Sequence, residues 1–151
     1  MRLTKLYDVI KAVRDCLKSC MTSVKFYVGT IPETKSRPSF LIDLAFSKDS
    51  RTTFLTQSRT LSIQLIYFGT LDEYKKENVI EQLETIETLR PFLNKFILNV
   101  GDRTLNFEYE IGQADEQLSI TLDFKFKDSI YITQQDFEMI QNIFINEEEM
   151  S

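Results

Sequence analysis

Apolar residues along this chain recur with two periods, and each change of period marks a new element. Leu3, Leu6, Ile10, Val13 and Leu17 follow one another at spacings of 3 and 4, the stripe of an amphipathic helix. Lys5, Asp8, Lys11, Arg14, Asp15 and Lys18 fill its other side. Val24 to Val28 reads as a short strand, Gly29 to Pro38 as a loop, and residues 39–47 as a strand with more than one apolar face. A polar stretch, Lys48 to Thr56, follows. From Arg59 to Phe68 the chain alternates, with Leu61, Ile63, Leu65 and Tyr67 on one face and Thr60, Ser62 and Gln64 on the other. That is a half-buried strand.

Thr70-Leu71-Asp72-Glu73 has the form of a capping box. It predicts a helix running to about Leu89, with Val79, Ile80, Leu83 and Ile86 at helical spacing and Pro91 as its stop. Lys95 to Val100 is a strand, Gly101-Asp102 a turn, Leu105 to Ile111 a strand, and Gly112 to Glu116 a turn. Leu118, Ile120, Leu122, Phe124 and Phe126 then alternate with Ser119, Thr121, Asp123, Lys125 and Lys127, which predicts a strand with one wet face. Thr133 to Ile145 reads as a final helix, capped by Thr133 with Asp136 and carrying Phe137, Ile140, Ile143 and Phe144 on one side.

Glycines and prolines fall at the joints, which sharpens the boundaries. The order is αβββαβββα. Short turns between consecutive strands imply mainly antiparallel pairing with helices on one face, an α+β fold. Residues 1–145 form one predicted domain, and 146–151 an acidic, frayed end.

Composition narrows the chemistry. Among 151 residues there is no histidine and no tryptophan, and there are two cysteines. A Ser-His-Asp triad, a Cys-His pair and a His-ligated metal are therefore impossible. Cys16 and Cys20 sit four apart in a helical pattern and read as reduced thiols; a metal or redox site there lacks a second ligand pair. No GxGxxG, Walker A or GxSxG pattern occurs. Carboxylate catalysis through Glu108/Glu110 or Asp115/Glu116 is formally open, but Glu108 and Glu110 fall on the solvated side of a strand with no nucleophile nearby. Glu147-Glu148-Glu149 reads as a solvated terminal run. No cofactor and no metal are expected, and the chain is not expected to be an enzyme. No stretch approaches the ~20 apolar residues of a membrane helix, and Met1 to Asp8 has no apolar signal core.

Charge is divided along the chain. Residues 106–151 hold eleven acids and two bases, while residues 1–105 hold sixteen bases and twelve acids, for a net −5 overall. A polar subunit that meets copies of itself, positive side to negative side, fits this division; so does an interleaving of the halves in space that leaves it without meaning. Between two strands, Lys48, Arg51 and Arg59 flank Phe54 and Leu55. Three bases and one aromatic are thin for nucleic acid. An apolar tip docking on a neighbouring protein is preferred over that, and Phe54 and Leu55 folding back on the core remains open.

Several segments together resemble a known family. They are the opening amphipathic helix, Phe26-Tyr27-Val28, the run Pro38-Ser39-Phe40-Leu41-Ile42-Asp43-Leu44, the alternating strand Arg59 to Phe68, the helix opening Asp72-Glu73-Tyr74, and the hairpin from Glu108-Tyr109-Glu110-Ile111 to Leu118 through Phe124. This layout resembles the small tail-terminator, or tail-completion, proteins of phages and phage-tail-like particles of Gram-positive bacteria. The resemblance spans most of residues 1–127 and rests on element order and texture. The segment from Ser129 onward looks like an addition.

The resemblance implies a structural protein that forms a homo-oligomeric ring, a hexamer, on the head-proximal end of the tail tube. The ring stops tube polymerisation and offers a surface to the neck or sheath. Implied partners are copies of itself, the tail tube protein, and the sheath and neck proteins. DNA at most passes through the lumen, and no membrane is involved. Assembly in the host cytoplasm, then residence in the virion or tail-like particle, follows. A head–tail connector or neck adaptor on the portal side is the alternative. Arg51, Thr53, Phe54 and Leu55 are the expected contacts with the tube or a neighbour.

Overall fold

The structure, a computed structural model, describes residues 4–130. Its elements are α1 (Leu6–Cys20), β1 (Lys25–Val28), β2 (Ser39–Arg51), β3 (Thr56–Phe68), α2 (Val79–Leu93), β4 (Ile97–Val100), β5 (Arg103–Ala114) and β6 (Gln117–Ser129). This is the expected α+β order as far as β6. The helix expected at Thr133–Ile145 and the acidic end 146–151 lie outside the described residues.

The strands form one six-stranded sheet in the order β1-β2-β3-β6-β5-β4. All pairs are antiparallel except β1 with β2, which run parallel. The third strand of each αβββ unit thus lies at the centre, and β3 pairs with β6 along their whole length, from Thr56↔Ser129 to Tyr67↔Leu118.

Alternation decides which face is buried. Leu61, Ile63, Leu65 and Tyr67 of β3 stand opposite Phe124, Leu122, Ile120 and Leu118 of β6, and all eight are buried. Phe40 and Ile42 of β2, Leu105 and Phe107 of β5, and Leu98 and Val100 of β4 extend this face. Val9, Val13 and Leu17 of α1 and Ile86, Leu89 and Leu93 of α2 complete the same core. Aromatic rings link its parts: Phe26 stacks on Phe40 at 5.8 Å, and Phe107 meets both Phe92 and Phe124 at 5.4 Å. Val9 is fully buried although it lies outside the predicted stripe, because α1 turns the Val9–Val13–Leu17 line inward and leaves Leu6 and Ile10 at the margin.

Several expected boundaries move. Residues Lys48 to Arg51 are strand, not loop, so β2 and β3 form a long hairpin closed by residues 52–55. The helix expected from Thr70 starts at Val79. Asp72 Oδ1 instead accepts from the Tyr74 and Lys76 N–H groups at 2.8 and 2.9 Å, a local turn that competes with helix. Asn78 is the true cap, its side chain accepting from the Glu81 N–H at 3.2 Å. Pro91 lies inside α2, which continues to Leu93; only the last turn follows it, so little backbone bonding is lost. Gly112 lies inside β5. The turn there is Asp115-Glu116, with φ of 50° and 71°, the left-handed pair that a two-residue hairpin turn requires. β4 begins at Ile97, after Phe96 with φ 57°.

Candidate functional site

The β2–β3 hairpin carries all four residues singled out for contact. At Ala45 the β2 register shifts between Leu44 and Phe46. This bulge carries Phe46 to pair with Ser62 on the face away from the core. Every residue from Leu44 to Arg51 is exposed. Since β1 covers only Ser39 to Ile42, the rest of that edge is unpaired among the described residues, and the bulge is a common guard on such an edge.

The tip is internally braced. The Thr52 and Thr53 N–H groups donate to the Thr56 carbonyl at 3.0 and 3.2 Å. Thr53 Oγ1 accepts from the Leu55 and Thr56 N–H groups at 3.2 and 3.0 Å and lies 2.6 Å from Thr56 Oγ1. Thr53 therefore shapes the turn that presents Arg51 and Leu55. Leu55 is 46% exposed and Phe54 half-buried. The Ile130 N–H donates to the Leu55 carbonyl at 3.1 Å, which ties the tip to the end of β6.

Below the tip lies a buried polar cluster. Asp128, fully buried, accepts from the Thr4 N–H at 2.6 Å, from Arg59 Nη1 at 3.0 Å, and pairs with Arg103 Nη1 at 3.2 Å. Arg59 Nε also reaches Asp49 at 3.2 Å. The guanidinium carbons of Arg59 and Arg103 lie 5.5 and 5.4 Å from the Phe126 ring centre, within cation–π range. Burial pushes the Asp128 carboxyl up, but the Thr4 and Ser129 N–H groups, Arg59 and Arg103 outweigh it and hold it below its ordinary value. Arg59, placed in the basic loop by its spacing, is thus consumed by this cluster. Only Lys48 and Arg51 of that trio are exposed, and the nucleic-acid option loses a third of its charge.

A second surface escaped sequence reasoning. Val79, Ile80 and Leu83 of α2 are 57%, 69% and 58% exposed, although their spacing with Ile86 predicts a buried stripe. The helix instead turns Gln82, Thr85, Ile86, Leu89, Phe92 and Leu93 inward. The two inward polar residues are satisfied: Gln82 Nε2 donates to the Glu116 carbonyl at 2.9 Å and Thr85 Oγ1 to the Glu81 carbonyl at 2.8 Å. The signal was present as a competing stripe, Ile86, Leu89 and Leu93. Leaving three aliphatic side chains in water forgoes about 1.5–3 kcal/mol each relative to full burial.

The other candidate chemistry does not converge. Glu108 and Glu110 are exposed on the face away from the core, and Asp115 and Glu116 form an exposed turn. Cys16 and Cys20 are free and half-buried, and burial raises the Cys16 thiol pKa. Among the described residues no group of three or more His, Cys, Asp or Glu side chains could hold a metal. No helix among them is long and apolar enough to cross a membrane.

No curated protein shows a significant sequence match to this chain. A family model described as "Phage tail terminator protein" matches residues 8–138, from within the first turn of α1 past the end of β6. The chain belongs to the phage tail terminator family.

Proposed function

We propose that this protein closes into a ring, a hexamer, on the head-proximal end of the tail tube, stops tube polymerisation there, and offers the neck or sheath its attachment surface. The observation that carries this is the family match across residues 8–138. Membership of the family makes the chain a structural protein of the phage tail and so of the virion.

The surface is in keeping with assembly. A ring needs two different, complementary faces on one subunit, joined head to tail. The hairpin and the exposed side of α2 are two such apolar surfaces. Arg51, Thr53, Phe54 and Leu55 at the hairpin end are the proposed contact with the tube or with an adjacent copy, Thr53 through its hold on the turn. Two exposed bases on the hairpin are too few to grip phosphates, which suits a lumen that DNA must traverse.

Electron microscopy of purified tube protein, assembled with and without the chain, tests the proposal. Ring-capped ends and halted elongation are the expected result. Tubes that grow unchanged, with the chain absent from their ends, overturn it and leave the portal-side adaptor as the leading function.

A further inference from the structure

We infer that the ring contact seats the β2–β3 hairpin of one copy on the exposed side of α2 of the next. This rests on the ring proposal above and names its interface. Three observations carry it.

The first is the matching apolar content. Phe46 and Leu55 of the hairpin are 50% and 46% exposed, and Ile80 and Leu83 of α2 are 69% and 58% exposed. Large exposed aliphatic and aromatic side chains flanked by charge are the usual anchors of a protein interface. The inward positions are held by Gln82 and Thr85 with their hydrogen bonds made.

The second is charge. The exposed bases on the hairpin are Lys48 and Arg51, while Asp49 is held by Arg59. On α2 the charged residues are Glu81, Glu84 and Glu87 against Arg90. Helical spacing puts Glu84 and Glu87 on the same side as Ile80 and Leu83. Glu87 is shared with Arg90 at 2.9 Å, so Glu84 is the acid this pairing leaves for the incoming bases.

The third is placement. The α2 N-terminal turn is tied to the Phe68 end of β3, where Glu81 accepts from the Tyr67 hydroxyl and the Thr70 N–H. The hairpin tip is at the other end of the same strand. Thirteen residues at about 3.3 Å each put the tip, with Leu55, about 40 Å from the α2 N-terminal turn, and Phe46, opposite Ser62, about 20 Å from it. Two unlike surfaces held apart along one rigid strand make a head-to-tail contact, which a single copy cannot satisfy within itself.

Phe46→Asp and Leu83→Asp test the contact, alone and mixed. Copies per particle are counted by native mass spectrometry of the free chain and by cryo-electron microscopy of capped tube ends, with thermal melting as the fold control. The expected result is loss of rings in each single variant with unchanged melting. An equimolar mixture then stops at dimers, because one intact hairpin meets one intact α2 and the remaining ends are both blocked. Rings that persist in either single variant overturn the contact and leave the ring proposal standing. A wild-type chain that forms no ring, free or on tubes, overturns both. A lowered melting temperature in Leu83→Asp overturns the contact as well, since the α2 side is then covered within one copy.

Discussion

Arg59 and Asp128 stand across the β3–β6 ladder near the tip of the β2–β3 hairpin, with Arg59 Nη1 donating to Asp128 Oδ2 at 3.0 Å and both side chains buried. The pair gathers two further remote parts of the chain. Thr4, just ahead of α1, donates its N–H to Asp128 and gives its carbonyl to Arg59. Arg103, at the start of β5, donates to the Lys127 carbonyl at 2.7 Å. This is where β5 leaves β6, since their pairing ends at Phe107↔Phe124. The tip end of the hairpin is thus held to β6, β5 and the chain ahead of α1 by buried charge.

Removing one partner of such a cluster leaves the others buried and uncompensated. Asp128→Asn is expected to lower stability at pH 7 by about 3 kcal/mol, read from urea unfolding. Because Asp128 titrates below its ordinary value in the folded state, its contribution is fully present above the unfolded carboxylate pKa of about 3.9 and is lost as pH falls through the lower folded value. Unfolding curves of the two proteins should converge in acid. A gap that stays constant down to pH 2 contradicts the assignment.

At the other end of β3 the sign reverses. Burial, with the Glu81 hydrogen bond at 2.8 Å, pushes Tyr67 up to about 12. A raised folded pKa stabilises below the unfolded value of about 10, and that stability is lost as pH rises toward 12. The wild type should lose on the order of 2 kcal/mol across this window from Tyr67 alone. Tyr67→Phe should cost about 1 kcal/mol at neutral pH and flatten the alkaline loss, measured by denaturation at pH 9, 10 and 11.

The orientation of α2 makes two leucines of one helix behave differently. Leu89 is fully buried and Leu83 is 58% exposed. Leu89→Ala should cost about 2–5 kcal/mol, whereas Leu83→Ala should stay within about 0.5 kcal/mol. Equal losses in chemical denaturation contradict the inward turn of Gln82 and Thr85.

That same helix shows where sequence patterning stops. β3 and β6 were legible because strict alternation admits one solution, and Leu61 to Tyr67 and Leu118 to Phe124 are buried as their spacing predicts. α2 offers two apolar stripes, and the inward one is set by what it meets in three dimensions: the core around Leu89, Phe92 and Leu93, and the Glu116 carbonyl that Gln82 reaches from 34 residues away. Helical spacing cannot contain that information. The Thr70 capping box failed for a related reason: Asp72 satisfies its neighbours' N–H groups in a turn before any helix begins. Among the candidate contacts, Arg51 and Leu55 were visible as a basic and an apolar residue in a polar stretch. Arg59 was misassigned because its partner Asp128 lies 69 residues on.

Thr53 holds the hairpin tip from within. Its hydroxyl accepts from the Leu55 and Thr56 N–H groups, which is a turn-holding role. Thr53→Ala removes both acceptances and leaves the exposed Leu55 on a looser loop. The expected result is faster amide exchange at Leu55 and Thr56, by about 5-fold for a hydrogen bond worth about 1 kcal/mol, with little change in global stability. Thr53→Ser keeps the hydroxyl and should keep the protection. If Thr53→Ala leaves exchange at both amides unchanged yet still weakens capping of tubes, Thr53 touches the partner directly rather than holding the turn. If exchange rises and capping weakens together in Thr53→Ala, and Thr53→Ser restores both, a preformed tip is what the partner recognises.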